Sequence, residues 1–389
     1  MVFLWMAVLA AILAAGVFGK PSYKKDTQKY FSPKFLYRAY EYNRHMLGIY
    51  VIGRLIMPIY GFILFFLAGQ YLDENFIAPA RAAAIIALFL LVTYFINFPL
   101  GYWKNFKTEK RFGLSNQSFK GWLWDYLKGF FLVFIIGSFG LTGLYAIIYY
   151  FPQTWWILAF LAMAAFIFLA NILYPLLVAP LFYRFKPLDD ASMVQSIKRM
   201  AEEAGIKVKN VLIADASTRT RKANAYFSGM GRTKRIVLFD TLINRFDKEE
   251  TLAVVAHEIG HWKKKHIFKL SSVSFAAIFI FFFLLGIFSE NIGGEGFRII
   301  IVIFILYGLL GPILMPAENW LSRRFERESD NISLGLTQNP DYFIKLFTKL
   351  AKTNLSDVDP SPWVKYVLYS HPPIMERIRE AKKARHFKG

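Results

Sequence analysis

His257-Glu-Ile-Gly-His-Trp-Lys-Lys-Lys-His-Ile-Phe-Lys-Leu-Ser-Ser-Val-Ser-Phe-Ala-Ala-Ile-Phe-Ile-Phe-Phe-Phe-Leu-Leu-Gly-Ile-Phe288 carries two signals in one stretch. It opens with two histidines four residues apart around a glutamate. Residues 267–288 are then apolar enough and long enough to cross a bilayer. Positions i and i+4 lie about 40° apart around an α-helix, so both imidazoles face the same way. Upstream, Asp247-Lys-Glu-Glu250 reads as a helix start. Asp247 is a cap, and Glu249 and Glu250 suit the positive end of the helix dipole. A helix is therefore expected from Asp247 through His257 and His261, running on toward the apolar run.

Outward from this stretch, six more apolar runs of span length or nearly so appear, at residues 2–18, 55–72, 82–103, 129–150, 155–182 and 299–315. Composition agrees. Of 389 residues, 56% are hydrophobic and 40 are Phe, while charged residues make up only 19%. Soluble domains carry roughly 25% charged residues. A disordered chain is excluded by the apolar content, and a collagen-like one by the lack of a glycine period. The chain has no cysteine, so disulfides and thiolate metal sites are excluded, and any metal must be held by His, Asp or Glu. The net charge of +20 reads as basic loops kept on the inner membrane face. No RNP, zinc-finger or basic-zipper pattern points to nucleic acid.

The short loops test that reading. Residues 20–54 hold Lys20, Lys24, Lys25, Lys29, Lys34, Arg38, Arg44 and Arg54, whereas residues 73–81 hold only Arg81. Residues 104–128 are again basic, residues 151–154 have no Lys or Arg, and residues 289–298 have only Arg298. The alternation predicts an outside N-terminus and a cytoplasmic C-terminus. The basic residues near run 2–18 follow it rather than precede it, which fits a retained span better than a cleaved signal. The expected organisation is transmembrane helices one to five over 1–183, a cytoplasmic α+β loop domain over 184–266, helices six and seven over 267–315, and cytoplasmic C-terminal helices over 316–389. Within the loop, residues 191–204 read as an amphipathic helix. Residues 208–214, 223–227 and 234–239 read as strands, the last two forming a hairpin.

Two neutral imidazoles are two legs of a tetrahedral zinc site, and Glu258 between them can take the proton of an activated water. A third ligand is needed. After the last run the chain reads Asn319-Trp-Leu-Ser-Arg-Arg-Phe-Glu-Arg-Glu-Ser-Asp330. Glu326 and Asp330 share one helical face, so Glu326 can ligate while Asp330 accepts the N–H of a ligating histidine. Glu318 and Glu328 are rivals for the ligand role. Glu328 lies about 200° around the helix from Glu326 and reads as a residue of a solvated face.

These residues, with Ala179-Pro-Leu-Phe182, Pro187-Leu188, Asn224-Ala-Tyr-Phe227, Arg235-Ile-Val-Leu-Phe-Asp-Thr241, Ser370-His-Pro-Pro373 and Glu376-Arg377, resemble the Ste24-type CAAX prenyl proteases of the M48 zinc metallopeptidases. The resemblance covers nearly the whole chain. It implies an α-helical polytopic membrane protein, with seven transmembrane helices forming a barrel around a chamber. A small α+β zinc-metallopeptidase domain would lie on the cytoplasmic side. It implies one zinc ion per chain, Glu326 as third ligand, and His371 as the group that holds the oxyanion. It places Asn224, Ala225 and Tyr226 on a strand that pairs with the substrate backbone. Arg377 is expected either to contact the site or to form a helix ion pair, and Asn319, with Asp330, to support the ligands. Tyr183 and Asn331-Ile-Ser333 depart from the family pattern.

The expected activity is that of an integral membrane zinc endopeptidase, with Glu258 as general base and His371 as oxyanion donor. Its expected partners are a peptide or protein substrate, prenylated or not, and membrane lipid, with no nucleic acid. The chain lacks a double-lysine tail, which suggests a prokaryotic inner membrane. The rival readings are a quality-control membrane protease of the HtpX kind and a channel or scaffold with a relict metal site.

Overall fold

The computed structural model describes residues 5, 8–10, 23–71, 78–229, 234–289 and 296–386. Four membrane helices come first. They are α1 (Pro33–Tyr71), α2 (Pro79–Tyr102), α3 (Phe119–Tyr150) and α4 (Trp155–Leu173). Serine caps α3: the Ser118 hydroxyl accepts from the Gly121 N–H. A π-helical turn at Trp103–Thr108 extends α2, and another at Tyr174–Val178 extends α4. Pro175 accounts for the second, because its missing N–H breaks the regular ladder.

The extramembrane part follows as β1 (Phe185–Pro187), α5 (Ala191–Glu203), β2 (Asn210–Ala214), β3 (Ala225–Ser228), β4 (Arg235–Phe239) and α6 (Lys248–Lys263). Two further membrane helices are α7 (His266–Phe288) and α8 (Phe297–Thr337), and α9 (Pro340–Asn354), α10 (Pro362–Leu368) and α11 (Ile374–His386) close the chain. Thus six of the seven expected runs form helices long and apolar enough to cross a membrane. The first run, residues 2–18, lies mostly outside the described residues. Of it, Trp5 and Leu9 are buried in a cluster with Val51, Ile301, Ile305 and Leu309. Large apolar side chains such as Phe66, Phe95 and Phe139 stand exposed on the spans, as a lipid-facing surface requires.

The sheet order is β1-β2-β4-β3. The β3–β4 hairpin is antiparallel as expected, with Tyr226 opposite Val237. The parallel β2–β4 pair and the short β1 are additions that the apolar pattern did not announce. The helix at the metal motif does not continue into the membrane. It ends at Lys263 with Lys264 as its C-cap, and Lys265 adopts a left-handed conformation (φ 56°) before α7 begins. By contrast, α8 is continuous over 41 residues. At 1.5 Å per residue it is roughly 60 Å long, about twice the hydrocarbon thickness, so one rod serves as both a span and a wall of the extramembrane lobe.

The loop of residues 184–266 reads in sequence as a domain of its own. In the structure its apolar face and that of the C-terminal helices close into one core. Ile197 and Ala201 of α5, Ile236 and Leu238 of β4, and Ala253, Val255 and Ile259 of α6 share it with Phe343, Leu346 and Phe347 of α9 and Met375 and Ile378 of α11. Helix α6 is central to this core, and it is the helix that carries the two histidines.

Candidate metal centre

Helix α6 starts with a capping box. Asp247 accepts from the backbone of the third helical residue, and Glu250 reaches back to the Asp247 N–H at 2.9 Å. Ten residues on, His257 and His261 turn their Nε2 atoms to each other at 3.1 Å. Glu326 of α8 meets both, with Oε2 3.2 Å from His257 Nε2 and Oε1 3.2 Å from His261 Nε2. The three residues form a group able to hold a metal ion.

The two helices meet this closely because of Gly260. A Cβ on it would lie 2.9 Å from the Cα of Ser329, so only glycine fits against the α8 backbone. Small buried residues extend the seam. Ser329 and Ser333 are fully buried, and the Ser333 hydroxyl donates to the Ala253 carbonyl at 2.8 Å. Ser333 is one of the residues that departs from the family pattern, and this bond gives its hydroxyl a partner.

The donor set fits a zinc-like cation. Tetrahedral ligands at 2.0–2.1 Å from a metal lie about 3.3 Å from one another, and the three contacts above fall close to that edge. Glu326 Oε2 is buried and accepts no hydrogen bond. A buried, unsatisfied carboxylate oxygen is costly, and a cation would relieve it.

Asp330, one turn after Glu326, lies 2.8 Å from His257 Nδ1. It accepts a hydrogen bond from the ring N–H there, which turns Nε2 toward Glu326 and leaves that nitrogen free to ligate a cation. Arg377 clamps Asp330: its Nε donates to Oδ2 at 2.8 Å, and its Nη2 donates to Oδ1. The guanidinium also stacks on the Phe347 ring, 3.8 Å from its centroid. Arg377 is therefore part of the site's support and not a surface helix pair. Burial opposes a charged His257, yet the Asp330 and Glu326 carboxylates beside the ring outweigh burial and lift its pKa to about 9. Glu258 is half-buried, and burial raises its carboxyl above the ordinary range. Among the described residues no hydrogen bond or ion pair ties that carboxylate down.

His371 reaches the same cluster from the loop before α11, with Nε2 3.3 Å from Glu326 Oε1. Its Nδ1 lies 2.9 Å from the Ser370 hydroxyl. Asn319 stands two turns before Glu326, and its amide donates to the Val367 carbonyl at 2.6 Å. Arg323 donates to the carbonyls of Lys365 at 3.0 Å and Tyr369 at 2.5 Å. Both residues thus hold the segment that delivers His371 and do not touch a histidine ring.

Strand β3 is one of the two edge strands of the sheet, opposite β1. Asn224 belongs to its ladder, since the Phe239 N–H donates to the Asn224 carbonyl at 3.0 Å. Alternation of antiparallel pairs then turns the backbone groups of Ala225 and Phe227 outward. The Ala225 N–H already donates to the Asn224 side chain at 2.9 Å. A cleft of about 1150 Å³ opens beside this edge, lined by Tyr226, Phe227, His261, Trp262, Phe268 and Phe275 among others. Tyr183, the other departure, packs against Phe239 with ring centroids 5.6 Å apart.

Glu318 takes no part among the contacts of the cluster. Glu328 is no ligand either, but it is more than a solvated residue: its Oε2 lies 3.2 Å from Nε2 of the fully buried His266. His266 and Gly260 are the two residues of the site that the sequence reading missed. Only six histidines occur in the chain, and three consecutive ones along it, His257, His261 and His266, lie within ten residues of one another. That clustering was the available signal.

Residues 187–385 match the profile of Peptidase family M48, and residues 25–184 match the CAAX prenyl protease N-terminal profile, described as five membrane helices. The chain is similar to the uncharacterized metalloprotease YhfN of Bacillus subtilis (strain 168), with 28% identity over 92% of this chain and 88% of that protein. It is also similar to CAAX prenyl protease 1 of Saccharomyces cerevisiae, with 31% identity over 77% of this chain and 71% of that one. Among solved structures, S. mikatae Ste24p superposes with a TM-score of 0.80 at 23% identity, covering 97% of this chain and 96% of that one.

Proposed function

The chain belongs to peptidase family M48 and to its Ste24-type CAAX protease branch, and from that premise we propose how this membrane metalloendopeptidase works. The metal is zinc, one ion per chain, held by His257, His261 and Glu326. When bound, it supplies a Lewis acid that acidifies water and polarises the scissile carbonyl. Glu258 takes the proton from the attacking water and passes it to the leaving amine. Its untied carboxylate, on the turn between the two histidines, supports that role. His371 donates a hydrogen bond to the oxyanion that develops on the carbonyl oxygen. Asp330 and Arg377 keep the His257 ring in one tautomer and one plane.

Substrate binds as an extended strand on the open edge of β3. The outward carbonyl of Ala225 and the N–H and carbonyl of Phe227 are the main-chain partners, with Asn224 and Tyr226 locked to β4. The apolar cleft beside His261 suits large apolar side chains or a lipid group on the substrate, and a prenylated C-terminal peptide belongs to that class. The lobe lies on the cytoplasmic side, as the loop charges indicate, and the long match to a Bacillus relative supports a prokaryotic plasma membrane. The intact donor set argues against a relict scaffold, and the match to the CAAX N-terminal profile argues against an HtpX-type protease.

The observation that carries this reading is the meeting of two imidazoles from α6 and one carboxylate from α8 at 3.1–3.2 Å. Purified protein is expected to cleave a farnesylated CAAX peptide, to stop with a chelator and to recover with zinc. Cleavage undiminished by a chelator, with zinc stripped, would refute it.

A further inference from the structure

The two histidines of the site are held differently. His257 donates its Nδ1–H to the Asp330 carboxylate directly. Among the described residues His261 has no carboxylate at Nδ1; instead, Nδ1 of His266 lies 3.2 Å away. On the far side of His266, Nε2 lies 3.2 Å from Glu328 Oε2. On an unbroken helix residues five apart point about 140° away from each other. The left-handed Lys265 breaks the helix and brings His266 under His261. The ring is then fixed by stacking on Phe325, with centroids 4.3 Å apart and planes 9° apart. His266 is fully buried.

Proton accounting permits one consistent arrangement. His261 turns Nε2 to His257 and Glu326, so its single proton is on Nδ1. That N–H donates to Nδ1 of His266, which must be an acceptor; the Ser329 hydroxyl, 3.5 Å from the same nitrogen, can only donate to it as well. The one proton of His266 is then on Nε2, where it donates to Glu328. Each ring is neutral, each bond has one donor and one acceptor, and the carboxylate ends the chain.

We propose that His266 is a positioning residue for the metal site, relaying the Glu328 carboxylate to His261 so that His261 keeps its Nε2 lone pair on the cation. The proposal rests on His261 being a metal ligand. It makes the support of the two histidines unequal: one carboxylate acts at first hand through Asp330, the other through an intervening imidazole.

Zinc affinity of the full-length protein in detergent, measured by competition with a chromophoric chelator, tests it without reference to turnover. His266→Phe keeps the stack on Phe325 and removes the acceptor. It is expected to weaken zinc binding about 10- to 100-fold. His266→Asn puts an amide oxygen close to the position of Nδ1 and is expected to recover most of that loss. Wild-type affinity in His266→Phe would overturn the relay, and so would His266→Asn binding as weakly as His266→Phe, since packing alone would then be the cause. Should His266→Phe fail to fold, the partly exposed Glu328 serves. Glu328→Ala is expected to bind zinc several-fold more weakly than Glu328→Gln, and equal affinities with wild type would overturn the proposal. His261→Ala separates the two readings. If it binds zinc as tightly as wild type, the metal site itself is misassigned, whereas loss in His261→Ala with full affinity in His266→Phe removes only the relay.

Discussion

The α6–α8 seam and the membrane helices are packed by different rules. At the seam, a Cβ on Gly260 would meet the backbone of Ser329 at 2.9 Å, and backbone cannot step aside. In the spans, Gly129, Gly140 and Gly143 have nothing within 4 Å of the same test atom. Even the tight span position Gly286 faces the Trp156 side chain, not a main chain. The spans leave Phe95 and Phe139 exposed, while the seam buries Ser329, Ser333, Asp330 and Glu326. Lipid does not require close register between helices, but a three-donor metal site does. Precision is concentrated where α6 and α8 touch, and the spans hold α8 upright.

The contrast can be broken or sharpened by substitution, starting with the largest expected effect. Glu258→Gln is expected to retain zinc and to lose about 10²- to 10⁴-fold in turnover; kcat at full metal occupancy reads it. Asp330→Asn removes the carboxylate behind His257 and should weaken zinc binding about 10- to 100-fold, measured by chelator competition. Gly260→Ala should push α8 off α6, cost about 1–3 kcal/mol, and show reduced zinc retention alongside a lowered Tm. Gly140→Ala, in the open part of a span, should change stability by less than about 0.5 kcal/mol and leave zinc binding unchanged. If Gly140→Ala proved as damaging as Gly260→Ala, the contrast between the two regions would fail.

Asp357 sharpens the comparison inside the lobe. Asp330 has Arg377 and His257, whereas Asp357 Oδ1 is buried without a hydrogen-bond partner. Burial pushes the Asp357 carboxyl up from 3.8 to about 6. An acid whose folded pKa lies above its unfolded value favours the fold most when protonated. Stability should therefore fall as pH rises from about 4 to 6 and stay level above that. Asp357→Asn should flatten that part of the Tm-against-pH curve and raise Tm above pH 6.

Much of this was legible in the chain. The capping box at Asp247, the i, i+4 histidines and the shared face of Glu326 and Asp330 are local patterns, and local patterns survive folding. Seven apolar runs read as spans for the same reason, and six of them are span-length helices among the described residues. What could not be read was what depends on meeting across the chain. Nothing near Gly260 in sequence announces Ser329, which lies almost seventy residues on. The break at Lys265 was hidden because lysine is an ordinary helix former, so His266 looked like the edge of a span. Glu328 looked solvated because its partner was that unseen ring. The common core of loop and tail rests on contacts between α5, α6, α9 and α11, whose amphipathic faces are visible singly but not in pairs.

The central claim is that α6 and α8 together hold one zinc ion. Metal analysis of the purified protein, wild type against Glu326→Ala, tests it most directly. The account predicts close to one zinc per chain in the wild type and loss of that zinc in Glu326→Ala with the helical content unchanged. Equal zinc content in the two proteins would contradict it.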